Sequence, residues 1–244
     1  MPIVQMLFFF VNADNADKQI YHCSTRGNML KSWYAGKKIG GLIINLMDIY
    51  LLRHGETDWN RAGRIQGHTD IPLNQHGREQ IVHTADILAS LHIDIDLILT
   101  SPLSRAYESA QIIAAGLSYA KDDIVVEPLL KERSFGKGEG LTALERKEKY
   151  PDGVYPEMET REELRKRALM AFDKIREISK DKGNILIVAH GAILHAVMAA
   201  VIAGYGDDGK KDFIDHGYIY RIRVSEGSLE LAKYNNEEAK WGIL

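Results

Sequence analysis

Two short apolar runs constrain the fold of this chain more than any other feature. Residues 48–52 (Asp-Ile-Tyr-Leu-Leu) and 185–189 (Ile-Leu-Ile-Val-Ala) are branched and almost uncharged. Short runs of this kind read as strands buried on both faces, the pattern of parallel strands in an α/β sheet. Each run leads into ionisable residues and a glycine. Arg53-His54-Gly55-Glu56-Thr57 comes directly after the first, and His190-Gly191 after the second. In open α/β sheets ligands bind at the carboxyl ends of the strands. The runs therefore predict one sheet edge where an arginine and two histidines meet, a place for an anion and a proton. A lone histidine at a strand end is more often a hydrogen-bonded structural residue than a catalyst. The combination is harder to dismiss, because Arg53 and His54 are adjacent and both precede a glycine. A guanidinium fork matches phosphate oxygens, and an imidazole can act as nucleophile or proton carrier near neutral pH.

Downstream of Met47, strand and helix patterns alternate. Gln75–Leu91 reads as an amphipathic helix, with Ile81, Ala85, Leu88 and Leu91 on one face and Asn74 as its N-cap. Leu97–Thr100 is a short strand, Leu103–Leu117 a helix, and Ile124–Glu127 an edge strand. Thr142–Lys149 is a short charged helix that stops before Pro151. Thr160–Asp181 is a long helix, with Leu164, Ala168, Phe172 and Ile175 on its apolar face. Ile185–Ala189 is followed by a helix over Ala192–Ala203. Tyr218–Val224 and Ser228–Tyr234 form a terminal hairpin turning at Glu226-Gly227. This alternation predicts an α/β fold, a three-layer α/β/α sandwich with a mainly parallel central sheet.

Residues 1–46 differ: no sustained period continues after Val11. They read as an N-terminal extension ahead of one domain over 47–244. Ile3–Val11 resembles a short signal core but lacks a basic flank and a small-residue cleavage site, so secretion is not expected. No stretch approaches the about 20 apolar residues of a membrane span. Cys23 is the only cysteine, which excludes an internal disulfide and a cysteine-based zinc site. A formal net charge of −3 gives no general attraction to nucleic acid or membrane. The reading is a cytoplasmic protein with no nucleic-acid or membrane partner, no cofactor and no metal. Its oligomeric state is not legible.

Four segments leave predicted strands with chemistry at their tips. They are Arg53-His54-Gly55-Glu56-Thr57 running on to Asn60, Gln66 and Gly67; Ser101-Pro102-Leu103-Ser104-Arg105-Ala106; Leu130-Lys131-Glu132-Arg133-Ser134-Phe135-Gly136; and Ala189-His190-Gly191. Phosphoryl transfer needs these residue types, because its catalysis is mostly positioning and electrostatic stabilisation of charge on three oxygens. Arg53 and Arg105 can clamp those oxygens. A neutral His54 nitrogen can attack phosphorus, His190 can donate to a non-bridging oxygen, and Glu132 can move the proton of the leaving group.

These segments resemble the histidine phosphatase superfamily, the group that contains cofactor-dependent phosphoglycerate mutase and small-molecule phosphatases. The resemblance lies in Leu-Leu-Arg-His-Gly-Glu-Thr-Asp-Trp-Asn, in Gln-Gly-His-Thr-Asp-Ile-Pro-Leu-Asn-Gln-His-Gly, and in the Ser101–Ala106, Glu132–Gly136 and Ala189–Gly191 motifs in family order. It spans roughly residues 48 to 236. It implies a phosphoglycerate mutase-like fold, with His54 as phosphorylated nucleophile and Glu132 as general acid. Arg53, Arg105 and His190 would form the phosphate pocket. Asn60 and Gly67 match positions that contact the transferred group or substrate in similar proteins, and Gln66 and Gly191 are further candidates for binding the phosphate. Gln66 stands where the mutases usually carry Thr.

The resemblance leaves mutase and phosphatase both open. Mutases carry a long insertion between the Glu motif and the second His motif, and here that stretch is short. Phe-Gly-Lys-Gly-Glu-Gly is also closer to the phosphatase branch, so hydrolysis is the favoured reading. The alternatives are a bisphosphate-primed mutase and a non-catalytic phospho-ligand sensor. Gly136-x-Gly138-x-Gly140 lacks the context of a dinucleotide fingerprint and reads as a flexible loop over the site. His68, His76, His83 and His92 read as solvent-facing, His195 as a packing residue, and Arg161, Arg165 and Arg167 as a solvated helix face. Trp59 reads as packing under the nucleophile loop, and Phe135 and Tyr155 as candidates for an apolar rim. His216 can line the pocket, though the sequence does not place it.

Overall fold

The computed structural model describes residues 37–39, 42–44, 47–202, 205, 214–225 and 228–243. Residues 3–11, Cys23, most of the 204–217 loop and the Glu226-Gly227 turn lie outside the described residues. Strands β1 (Lys37–Ile39) and β2 (Leu42–Ile44) pair antiparallel in a sheet of their own. The sequence pattern of 1–46 carries no sign of that pair.

The main sheet has seven strands: β3 (Met47–Arg53), β4 (Leu97–Thr100), β5 (Val125–Val126), β6 (Asn184–Ala189), β7 (Ile219–Ser225), β8 (Ser228–Asn235) and β9 (Lys240–Ile243). Their spatial order is β5-β4-β6-β3-β7-β8-β9. The pairs β5-β4, β4-β6 and β6-β3 are parallel, whereas β7, β8 and β9 add on antiparallel beside β3. Only β7 and β9 run against the other strands. The expected hairpin is β7-β8, and β9 is a strand beyond it. The helices are α1 (Asp58–Arg61), α2 (Gln75–Ser90), α3 (Ser104–Gly116), α4 (Ala143–Lys149), α5 (Arg161–Ile178) and α6 (Gly191–Val201).

Alternation along β3 divides the core into two layers. Ile49 and Leu51 face Leu164, Ala168, Phe172 and Ile175 of α5 and Ile193, Leu194 and Val197 of α6. Tyr50 and Leu52 face Ile81, Ala85 and Leu88 of α2 and Ala110, Ile113 and Ala114 of α3. A strand with period two and apolar residues on both sides must be covered twice, and this one is. The three-layer sandwich results from that pattern.

Caps fix where the helices begin. Asn74 accepts from the Gly77 amide at the start of α2. Thr142 with Glu145, and Thr160 with Glu163, close capping boxes on α4 and α5. A Cβ on Gly55 would collide with the Gly77 carbonyl, and one on Gly77 with Glu56 backbone. Those two glycines let α2 start directly against the loop after His54.

Candidate active site

Sheet register assembles the site. Arg53 pairs with Ala189 across β3 and β6, and the His54 amide donates to the Ala189 carbonyl at 3.0 Å. His54 and His190 therefore leave the sheet side by side, with ring centroids 5.0 Å apart. On the other flank of β6, the Ser101 amide donates to the Val188 carbonyl at 3.1 Å. That places the Ser101 hydroxyl 2.8 Å from His190 Nε2. β7 runs antiparallel to β3, so it brings the residues before its first position. Gly217 donates to the Arg53 carbonyl at 3.2 Å, and the His216 ring stands edge-on to His54 at 5.3 Å. His216 is thus a wall of the site.

Burial favours the neutral form of His54, His190 and His216. His54 Nδ1 lies 2.7 Å from the Gly55 carbonyl oxygen. A carbonyl only accepts, so Nδ1 carries the hydrogen and the Nε2 lone pair is free. His54 is 2% exposed. Burial first, then His190, Arg105 and Arg53, hold its ring well below the usual histidine range. Burial, Arg105 and Arg53 do the same for His190. His216 is pushed down to about 3, by burial and then by Arg53.

Two guanidiniums close on these rings. Arg53 Nη1 donates to the Ile214 carbonyl at 2.8 Å, and the group lies against Gly191 at the start of α6. Arg105 is fully buried. It donates to the carbonyls of Thr69 at 3.0 Å and Gly67 at 2.8 Å. Burial pushes Arg105 down to about 10, so it stays charged at neutral pH. Arg53 is lowered by the same cause, and the negative charge of Glu132 opposes the effect on both. Arg53 Nε, Arg105 Nε, His190 Nδ1, His216 Nε2 and Gln66 Oε1 are buried and find no hydrogen-bond partner among the described residues. Buried polar groups are rarely left unpaired. Most of these are nitrogens around a neutral imidazole, and with two cationic groups among them they form a cradle for an anion.

Glu132 reaches the same corner from another direction. Its Oε1 accepts from the amides of Arg133 at 2.8 Å, Ala192 at 3.1 Å and Ile193 at 3.3 Å. The carboxylate thus caps the N-terminus of α6, one residue from Gly191. His68 is exposed as expected, yet its Nε2 donates to the Glu132 carbonyl at 2.8 Å. Arg161 and Arg165 are exposed, but Arg167 is not part of a solvated face. It turns inward, onto the carbonyls of Leu129, Lys131 and Glu132. The reason is its place three residues after Leu164, beside the apolar stripe of α5.

The loop over the site is pinned rather than flexible. Gly136–Gly138 form a 3₁₀ turn. The Glu139 carboxylate accepts from the amides of His68, Thr69 and Phe135, each at 2.9–3.0 Å, and from the Thr69 hydroxyl. These bonds fasten 67–69, whose carbonyls hold Arg105, to 135–140. A Cβ on Gly67, which has φ +56°, would strike Glu139. Asn60 spends its side-chain oxygen on Thr57 in the capping box of α1. Trp59 packs against Gly140. Phe135 lies under the Arg133 guanidinium, and Tyr155 packs on Gly138 and Tyr150. His76, His83 and His92 are exposed, and His195 on α6 stacks near Tyr205 at 5.2 Å. Among the described residues no helix is long and apolar enough to cross a membrane.

A family model described as "Histidine phosphatase superfamily (branch 1)" matches residues 49–237. A Bacillus subtilis protein named "Uncharacterized phosphatase PhoE" is 43% identical over 156 residues, 64% of this chain and 78% of that one. A Cronobacter sakazakii protein named "Probable phosphoglycerate mutase GpmB" is 31% identical over 168 residues, 64% of this chain and 75% of that one. The solved structure of open reading frame Rv3214 from Mycobacterium tuberculosis superimposes with a TM-score of 0.65 at 29% identity, covering 76% of this chain and 95% of that one.

Proposed function

The chain belongs to the histidine phosphatase superfamily (branch 1), and from that premise we propose that it hydrolyses small-molecule phosphate monoesters through a phosphohistidine on His54. The observation that carries this reading is the buried His54, with Nδ1 committed to the Gly55 carbonyl and its neutral form favoured by burial, among nitrogens without a hydrogen-bond partner among the described residues.

In the first step His54 Nε2 attacks phosphorus in line, the N–P bond forms and the P–O bond to the ester breaks. Arg53 and Arg105 hold the non-bridging oxygens, with the N–H groups supplied by Nε in each case. Ser101 donates to His190 Nε2, which leaves His190 Nδ1–H for the same phosphoryl group. A substrate bound as its monoanion lends its proton to Glu132, and Glu132 passes it to the leaving oxygen. In the second step Glu132 takes a proton from water and then gives it up to the departing phosphate, which restores the carboxylate. The water oxygen attacks phosphorus, the N–P bond breaks and His54 returns to its neutral form. No step is routed through a metal ion.

The test is phosphate release from a panel of small phosphomonoesters in EDTA, with wild type and His54→Ala side by side. Release by wild type and none by the variant is the expected result. Equal release by both removes His54 as nucleophile. The mutase-named relative favours one second reading, a primed phosphoglycerate mutase. Interconversion of 3- and 2-phosphoglycerate without net phosphate release is the outcome that selects it.

A further inference from the structure

We infer that Arg167, paired with Glu159, is the residue that positions Glu132 for proton transfer. This rests on the reading of Glu132 as proton donor given above.

Arg167 uses its whole guanidinium. Nε and Nη2 donate to the two Glu159 carboxylate oxygens at 2.8 and 2.7 Å. Nη1 donates to the carbonyls of Leu129 and Lys131, both at 2.7 Å, and Nη2 to that of Glu132 at 3.1 Å. A guanidinium offers five N–H groups in a planar fork, and here each has an acceptor. The pair is shielded, with side-chain exposures of 17% and 14%, whereas Arg165 and Glu162 on the same helix lie 4.0 Å apart at 53% and 82%. Exposed pairs of that kind contribute little.

Glu159 extends the grip past Glu132. Its amide donates to the Ser134 carbonyl at 2.9 Å, its carbonyl accepts from Arg133 Nε at 2.8 Å, and its carboxylate accepts from the Ser134 amide at 3.3 Å. Residues 129–134 are therefore held before Glu132, after it and on its own carbonyl, which His68 also meets. With the backbone held from α5, the side chain reaches the Ala192 and Ile193 amides of α6. Leu164 and Ala168 of α5 share a core cluster with Ile193 and Leu194 of α6. The carboxylate is thus set between two helices packed in one layer. Proton transfer is sensitive to such placement, since a displacement of about 1 Å can cost about 10²-fold in rate.

A structural staple and a positioning residue differ in which substrates they affect. An alkyl phosphate needs its leaving oxygen protonated, whereas 2,4-dinitrophenyl phosphate expels a stable anion and does not. The experiment measures kcat/KM for both esters in Arg167→Lys, Glu159→Gln and Glu132→Gln. Lysine keeps the charge but not the fork. Glu132→Gln is expected to lose about 10²-fold or more on the alkyl ester and only a few-fold on the aryl ester. Arg167→Lys should lose about 10- to 100-fold on the alkyl ester and less than about 3-fold on the aryl ester, and Glu159→Gln should change in the same direction with a smaller loss. Equal losses on both esters in either folded Arg167 or Glu159 variant overturn the inference and leave Glu132 as the donor. Equal losses in Glu132→Gln overturn the donor and the inference together. Should Arg167→Lys fail to fold, Glu159→Gln decides, because all three carbonyl contacts of Arg167 survive in it.

Discussion

The two halves of the seven-stranded sheet meet the active site with opposite ends. In the parallel half, β4, β6 and β3 each deliver the residue just past their C-terminal end: Ser101, His190 and His54. In the antiparallel half, β7 delivers residues from just ahead of its N-terminal end: Ile214, His216 and Gly217. The halves also differ in where they keep their charge. The parallel strands are mostly apolar through the sheet and keep their site residues at their C-terminal tips, with Asp48 near the far end of β3 as the exception. The antiparallel strands carry cations along their length, Arg223 paired with Asp48 across on β3, Arg221 with Glu230 and Lys233 with Asp215 ahead of β7, and Arg221 lies 4.5 Å over the Trp241 ring. The lesson is a division of labour: substitutions at the tips of the parallel half should remove activity, and those along the antiparallel half should remove stability.

Beyond the nucleophile itself, Arg105 gives the largest expected effect. It stands at the start of α3, immediately after the β4 tip, and its guanidinium is held by the Gly67 and Thr69 carbonyls. Arg105→Met removes a positive charge from the phosphoryl cradle. The kcat/KM for phosphomonoesters should fall about 10²- to 10³-fold, and inhibition by inorganic phosphate should weaken in parallel. Arg221→Met, an equal change on β7, should leave kcat/KM within about 2-fold of wild type. A comparable loss from Arg221 would break the division between the halves.

The tips were legible because apolar run, ionisable residue and glycine stand next to one another in the chain. The partners across the fold had no local sign. Glu139 acts on 67–69, about 70 positions away, and nothing near it in sequence marks that. Ser101 as the partner of His190 emerges only from strand order. His216 was placeable in principle: Leu52 pairs with Ile219, so the residues just before β7 must face those just after β3. Arg167 also left a sign, since it borders the buried positions 164, 168 and 171 of α5. A charge on the margin of an apolar stripe asks for an internal acceptor. The short β9 at the sheet edge carries only Trp241 and Ile243 as a strand pattern.

Acid sensitivity supplies a smaller effect that runs through both halves. His54, His190 and His216 all take up protons less readily folded than unfolded, burial being the first cause. Below about pH 6.5 the unfolded chain binds protons that the folded chain refuses. Stability is therefore complete above that pH and declines as pH falls, by up to about 1.4 kcal/mol per pH unit for each such histidine. For His216 the decline continues to about pH 3. His216→Gln removes one titration and keeps a polar side chain. Denaturant unfolding between pH 6.5 and 4.5 should show a shallower loss of stability, by up to about 1.4 kcal/mol per pH unit. Carboxylate titrations are common to both proteins and cancel in the difference. An unchanged slope would mean that the residue brought in by the antiparallel strand is not sealed into the site.

The smallest effect lies farthest from the tips. Arg223 stands opposite Asp48 in the β3–β7 register and holds both its oxygens, at 2.9 and 2.7 Å. Asp48 keeps a further contact from the Tyr50 hydroxyl at 3.3 Å, and the Arg223 side chain is 40% exposed. Arg223→Gln should cost about 1 kcal/mol of unfolding free energy, the scale of one cross-strand pair. The register itself does not depend on this pair, because the β3–β7 pairing runs from Met47 to Leu52 against Val224 to Ile219. Gly217 and His216 should therefore stay where they are, and kcat/KM should match wild type. A rise in KM without a matching loss of stability would show that charge along the antiparallel half is transmitted to the site through β7. In that case the boundary between the two roles lies within β7 instead of between the halves.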